Sequence, residues 1–145
     1  MKYFFPVFLL LTLVGCTSDK TVPVTLPDGF TVQARVADTP QKQQRGLMFV
    51  KHLPENEGML FPFEEETDQL FWMKNTLVDL DIVYLGADKR VILVDPQVPH
   101  SYTYTPDSEV AYSAGYGKYV LELAAKTAQR HGVTQGAELR FTWNE

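Results

Sequence analysis

The chain has 145 residues, is 45% hydrophobic and carries a formal net charge of −5. That length fits one domain whose core needs no metal or disulfide staple. The acidic balance, with no run of lysine and arginine, argues against nucleic acid as a partner. A single cysteine excludes a disulfide framework.

Met1 to Cys16 reads as a secretory leader. Lys2 gives the positive start, and Tyr3 to Val14 is an apolar run too short to span a bilayer. Its end, Leu13-Val14-Gly15-Cys16, resembles the lipobox of bacterial lipoproteins. The resemblance implies a signal peptide over 1–15, acylation of Cys16 and a tether over 16–23. Several acyl chains would then hold the protein to a membrane. Thr17 in place of aspartate implies sorting to the outer membrane of the cell envelope, facing the periplasm. A single domain over 24–145 follows.

Val22–Leu26 and Phe30–Ala37 flank Pro27-Asp28-Gly29 and predict a hairpin. Thr39 can cap a short helix over Gln41–Arg45, with Pro40 at its first turn and Gly46 as its stop. Gly58–Phe63 reads as a strand that Pro62 bends, and Glu64-Glu65-Glu66 as a solvated loop. Leu70–Leu77 is the strongest segment. It predicts a central strand, buried on both faces, that turns polar at Lys74-Asn75-Thr76. Val78–Leu85 and Arg90–Val94 predict a second hairpin. Asp95–Gly117, rich in proline and tyrosine, reads as a long loop able to form a binding lip. Lys118–Leu123 returns as a strand, Ala124–Arg130 as a short helix, and Glu138–Trp143 as the last strand. The sum is a β-rich α+β domain, a compact bent sheet or small barrel-like domain with two short helices.

Six segments, in this order, carry a resemblance across nearly the whole mature chain: Val36–Pro40, Arg45–Met48, Gly58–Phe61, Phe71–Thr76, Leu80–Ile82 and Val120–Leu123. They are similar to the bacterial and archaeal family known as domain of unknown function 192, the COG1430 type. The resemblance implies a compact β-barrel-like domain, often secreted or lipid-anchored, and no settled activity.

Arg45, Lys74, Asn75, Asp79, Asp81 and Glu122 are the charged or amide groups set within apolar segments. Buried ions need partners, because desolvation costs several kcal/mol each. Two readings stay open: a salt-bridged network that fixes register, or a pocket using Arg45, Trp72, Lys74, Asn75 and Glu122 to grip an anionic or carbonyl-bearing ligand. Asp81 and Glu122 could serve as an acid–base pair in an envelope-acting hydrolase or transferase. Met48, Met59 and Met73 could bind Cu(I) as thioethers, or simply fill core gaps. No nucleophile elbow, phosphate loop or dinucleotide fingerprint is present, so no cofactor is expected. The sequence therefore predicts a lipid-anchored, periplasm-facing binding or accessory module. Its partners would be the membrane and either a small molecule or an envelope protein.

Overall fold

The computed structural model describes residues 19–143. The leader, Cys16 and the start of the tether lie outside the described residues. The fold is β-rich α+β: one six-stranded mixed sheet and two short helices. In chain order the elements are β1 (Thr21–Thr25), β2 (Thr31–Val36), α1 (Pro40–Arg45), β3 (Glu57–Trp72), β4 (Leu80–Leu85), β5 (Val91–Val98), β6 (Tyr112–Ala124) and α2 (Thr127–Arg130). A single 3-10 turn, Asp107–Glu109, interrupts the loop between β5 and β6.

The strand order is β1-β2-β3-β6-β4-β5. β1 and β2 form the expected hairpin, with the Asp28 carboxylate accepting the Phe30 amide at 2.9 Å in the turn. β2 and β3 run parallel, which requires a crossover, and α1 lies on it. Thr39 caps α1 by accepting the Lys42 amide at 3.2 Å, and Pro40 occupies its first turn. All other neighbours pair antiparallel.

The sheet is open rather than a closed barrel. One C-terminal segment nevertheless reaches both of its edges. Thr25 and Arg140 exchange amide hydrogen bonds of 2.8 and 3.0 Å, and the Val91 amide donates to Ala137 at 2.8 Å. The expected strand over Glu138–Trp143 is thus reduced to isolated bridges, at Arg140 and Glu138.

Four other expectations change. β3 is one strand of 16 residues that includes Glu64–Glu66, so the acidic run is not a loop. It ends at Trp72, so Lys74 and Asn75 stand in a turn, with Asn75 at φ 56°. β6 starts at Tyr112, well inside the stretch expected to be irregular. Helix α2 covers only Thr127–Arg130, because Ala124 still belongs to β6.

Alternation along the strands builds a core on each face of the sheet. One face holds Leu60, Val83, Leu85, Leu121 and Leu123, with α2 packed on it through Ala128. The other holds Met59, Phe61, Met73, Leu80, Ile82, Tyr84 and Val120. Each such side chain, fully buried, contributes about 1.5–3 kcal/mol. Between Pro62 and Thr67 the β3–β6 ladder slips: five steps of β3 pass against two of β6. Beyond the slip, β3 and β6 continue as a two-stranded ribbon. Its inner side puts Gly115 under the Tyr84 ring, where a Cβ would come within 2.6 Å. The Tyr84 hydroxyl meets Ser113 Oγ at 2.8 Å. Its outer side is uncovered, so Leu70 is 68% exposed and Trp72 41%.

Candidate functional site

Glu122 lies near the middle of the sheet. β6 runs between β3 and β4, and Glu122 stands opposite Met59 on one side and Ile82 on the other. Its neighbours Leu121 and Leu123 feed one core, so Glu122 must point to the other face, among Phe61, Ile82 and Val120. It is 5% exposed, and its Oε2 is buried with no hydrogen-bond partner among the described residues. Burial pushes its carboxyl up to about 8, against a smaller opposing pull from Arg35. At neutral pH the group therefore keeps its proton.

Helix α1 and the turn after it lie above this carboxyl. Gly46 ends α1 at φ +47°, a left-handed backbone that suits glycine. A Cβ placed on Gly46 would stand 3.8 Å from Glu122 Oε2 and 3.5 Å from the Phe61 ring. The bare backbone places no side chain over the carboxyl. A cleft of about 290 Å³ opens there. One wall is Arg45, Gly46, Leu47 and Met48; the other is Leu70, Phe71 and Trp72, with Phe61 and Glu122 between them. Phe71 meets Phe61 edge-on at 4.9 Å, which steadies that wall. Trp72 stacks on Tyr112 across the ribbon at 5.9 Å. A second cleft, lined by Arg35, Lys42, Arg45, Gly46 and Met59, lies on the other side of the Gly46 turn.

Of the five ligand-binding residues read from the sequence, Arg45, Trp72 and Glu122 line this one cleft. Lys74 and Asn75 do not. Lys74 pairs with Asp107 and lies 5.8 Å from the Trp72 ring, on the outer side. Asn75 stands in the turn, where its backbone carbonyl accepts the Phe49 amide at 2.9 Å. Of the acids read as one network with it, none pairs with Lys74 among the described residues, and Asp107 takes that place. Trp72 was expected to be covered on a central strand, but the ribbon leaves its outer side bare.

Asp81 is buried at 1% exposure, but on the opposite face from Glu122. Its two oxygens accept the Gln97 and Ala128 amides, each at 2.9 Å. It fixes α2 and β5 and has no access to the cleft. Met59 and Met73 are core residues, and Met48 alone of the three reaches the cleft. No three His, Cys, Asp or Glu side chains among the described residues gather as a metal site.

A family model described as DUF192, Uncharacterized ACR, COG1430 matches residues 24–141. The chain belongs to the DUF192 family. Two solved structures are similar to this DUF192 chain. One is a protein from Sinorhizobium meliloti 1021 described as a candidate transcription regulator. It is 32% identical, with a TM-score of 0.74 over 88% of this chain and 98% of that one. The other is a protein of unknown function from Novosphingobium aromaticivorans DSM 12444. It is 30% identical, with a TM-score of 0.67 over 83% of each chain. No curated protein matches the chain.

Sequence reasoning missed Gly46, Phe61, Leu70 and Met48 as parts of the DUF192 cleft. Gly46 was legible only as a helix stop. Its second role, leaving a buried carboxyl uncovered, depends on the crossover that brings α1 over β6. Leu70 was read as core because its neighbours are apolar, and only the ladder slip shows that it faces outward.

Proposed function

We propose that this DUF192 chain is a binding module of the bacterial envelope, lipid-anchored through Cys16 and facing the periplasm, with the Glu122 cleft as its ligand site. One observation carries the reading: Glu122 Oε2 is buried without a partner among the described residues and lies beside a cleft whose lining mixes apolar side chains with Arg45 and several amides. An unpaired buried polar atom costs roughly 1–3 kcal/mol. A fold that keeps one beside an open cleft has left a hydrogen bond for something else to make. Small-molecule sites commonly combine apolar walls with a few such polar groups.

The hydrolase or transferase reading is weaker, because Asp81 and Glu122 face opposite sides of the sheet and cannot share a substrate. Copper handling is weakened likewise by the burial of Met59 and Met73 in the core. The regulator description of the Sinorhizobium relative finds little support in a chain of net charge −5.

Native mass spectrometry of the full chain, released gently from its own membranes, tests the proposal. The expected result is an acyl mass on Cys16 and a small molecule retained by the parent protein. The variant Met48→Glu, which puts a charge on the half-buried cleft wall, should lose that molecule. Recovery of a bare, unacylated chain in the soluble fraction would overturn the anchoring. A ligand equally retained by Met48→Glu would overturn the site.

A further inference from the structure

We infer that the cleft takes small monocarboxylic acids with an apolar body, the ligand's carboxylate accepting a hydrogen bond from the Glu122 side chain. This rests on the reading of the cleft as a ligand site and adds the chemical class of the ligand.

The charges around Glu122 decide the sign. From β2, Arg35 acts on it electrostatically. From α1, Arg45 lines the cleft mouth. Neither arginine has an ion pair among the described residues. Lys42, also on α1, is already matched by Asp38 at 2.9 Å and lies 3.9 Å from Asp19. The facing positions of β3 and β4 are apolar, Met59 and Phe61 from the first and Ile82 from the second. Tyr84 of β4 is the remaining titratable group in its field, and burial holds that phenol neutral, pushed up to about 12.

The cleft therefore offers a neutral acid and one cation at its mouth, Arg45, while Arg35 adds a positive field from the far side of the Gly46 turn. An ammonium ligand would meet Arg45 and the field of Arg35, and no anion among the residues that line this cleft. A carboxylate would meet a proton donor and a positive field. The carboxyl–carboxylate pair shares one proton, with no bond made or broken in the ligand. The walls, Leu70, Phe71, Trp72 and Met48, suit a hydrocarbon or aryl body. A second carboxylate on the ligand would have to be desolvated against those walls, so the class is the monoacids.

The test is an NMR titration of the full chain with three probes of one shape: 3-phenylpropionate, 3-phenylpropan-1-ol and 3-phenylpropylamine. The Gly46 amide and the Trp72 indole report occupancy of the cleft. The expected result is that 3-phenylpropionate binds best. Its affinity should fall roughly thirtyfold from pH 6.5 to 9.5, the loss of the protonated fraction of one group titrating near 8. Glu122→Gln, whose amide can still donate, should bind with a flat pH profile. Glu122→Leu should lose binding.

Equal or tighter binding of the amine or the alcohol would overturn the ligand class, while shifts at Gly46 and Trp72 would still uphold the cleft as a site. A pH slope that persists in Glu122→Gln would also overturn it, because the proton would then come from elsewhere. Should Glu122→Leu fail to fold, the Gln profile alone decides. Absence of shifts with all three probes overturns the class as well, and the native mass spectrum then decides separately whether the cleft binds anything.

Discussion

Two carboxylic acids sit on adjacent strands of this sheet, Asp81 opposite Leu123 and Glu122 opposite Ile82. Both are almost fully buried. Asp81 spends both oxygens on the amides of Gln97 and Ala128, and so ties β5 and α2 to β4. Glu122 has an oxygen with no partner, and a glycine where a side chain would have covered it. Burial alone does not separate a structural acid from a functional one. Whether the hydrogen bonds are complete does.

The contrast can be broken most sharply by pH. Burial raises the folded-state value for Glu122 from the usual 4.5 to about 8. Its contribution to stability is therefore fully present below pH 4.5 and is lost as pH rises through about 8. At 1.4 kcal/mol per unit, the loss approaches roughly 5 kcal/mol at most. Urea unfolding between pH 5 and 9 should show this alkaline fall in the parent and not in Glu122→Gln. The acid side behaves oppositely. Asp79 is held low by the His100 amide and ring, and Asp28 by the His131 ring. Their contribution is present above the usual carboxylate range and is lost as pH falls through the lowered values, in the parent and Glu122→Gln alike. An alkaline fall that survives in Glu122→Gln would mean that Glu122 is not the proton-holding group.

Next in size is Asp81→Ala, which strands two amides and should cost about 3 kcal/mol at neutral pH by urea unfolding. At the same pH, Glu122→Gln should be neutral or stabilising. Equal losses from the two changes would place Glu122 in the same structural class as Asp81. Gly46→Ala should cost roughly 1–2 kcal/mol through its positive φ, since its Cβ would meet only ordinary contacts at 3.5 and 3.8 Å. It should also weaken 3-phenylpropionate binding, read by the Trp72 indole shift. Smallest is Lys74→Ala. It removes a surface pair with Asp107 and should change the melting free energy by less than about 1 kcal/mol, leaving cleft binding unchanged.

Much of the frame was legible from residues alone. The first hairpin, the Thr39 cap with Pro40, and the hairpin around Gly86–Lys89 follow local chemistry and stand as read. The acidic stretch of β3 misled because a ribbon exposed on both sides there has no alternation to read. The start of β6 misled because Gly115 and Gly117 look like loop residues. They are required instead by close approach, of the Tyr84 ring to the first and the Leu85 backbone to the second, and neither neighbour is near in sequence. Within the site, Glu122 announced itself as a lone acid in Val120-Leu121-Glu122-Leu123. Lys74 and Asn75 were assigned to it because the strand was carried past Trp72, where it ends.

The slip between Pro62 and Thr67 makes chain length matter where it usually does not. Residues 63–66 are largely exposed and look like a place that could gain or lose a residue freely. They are also the counter that decides which side of the ribbon turns inward. Deleting one of them would rotate the far half of β3 by one place, sending Phe71 outward and Leu70 and Trp72 toward Tyr84. Deleting two would restore the original sides. In this protein an odd change in the length of an acidic surface stretch should erase one wall of the cleft, and an even one should spare it.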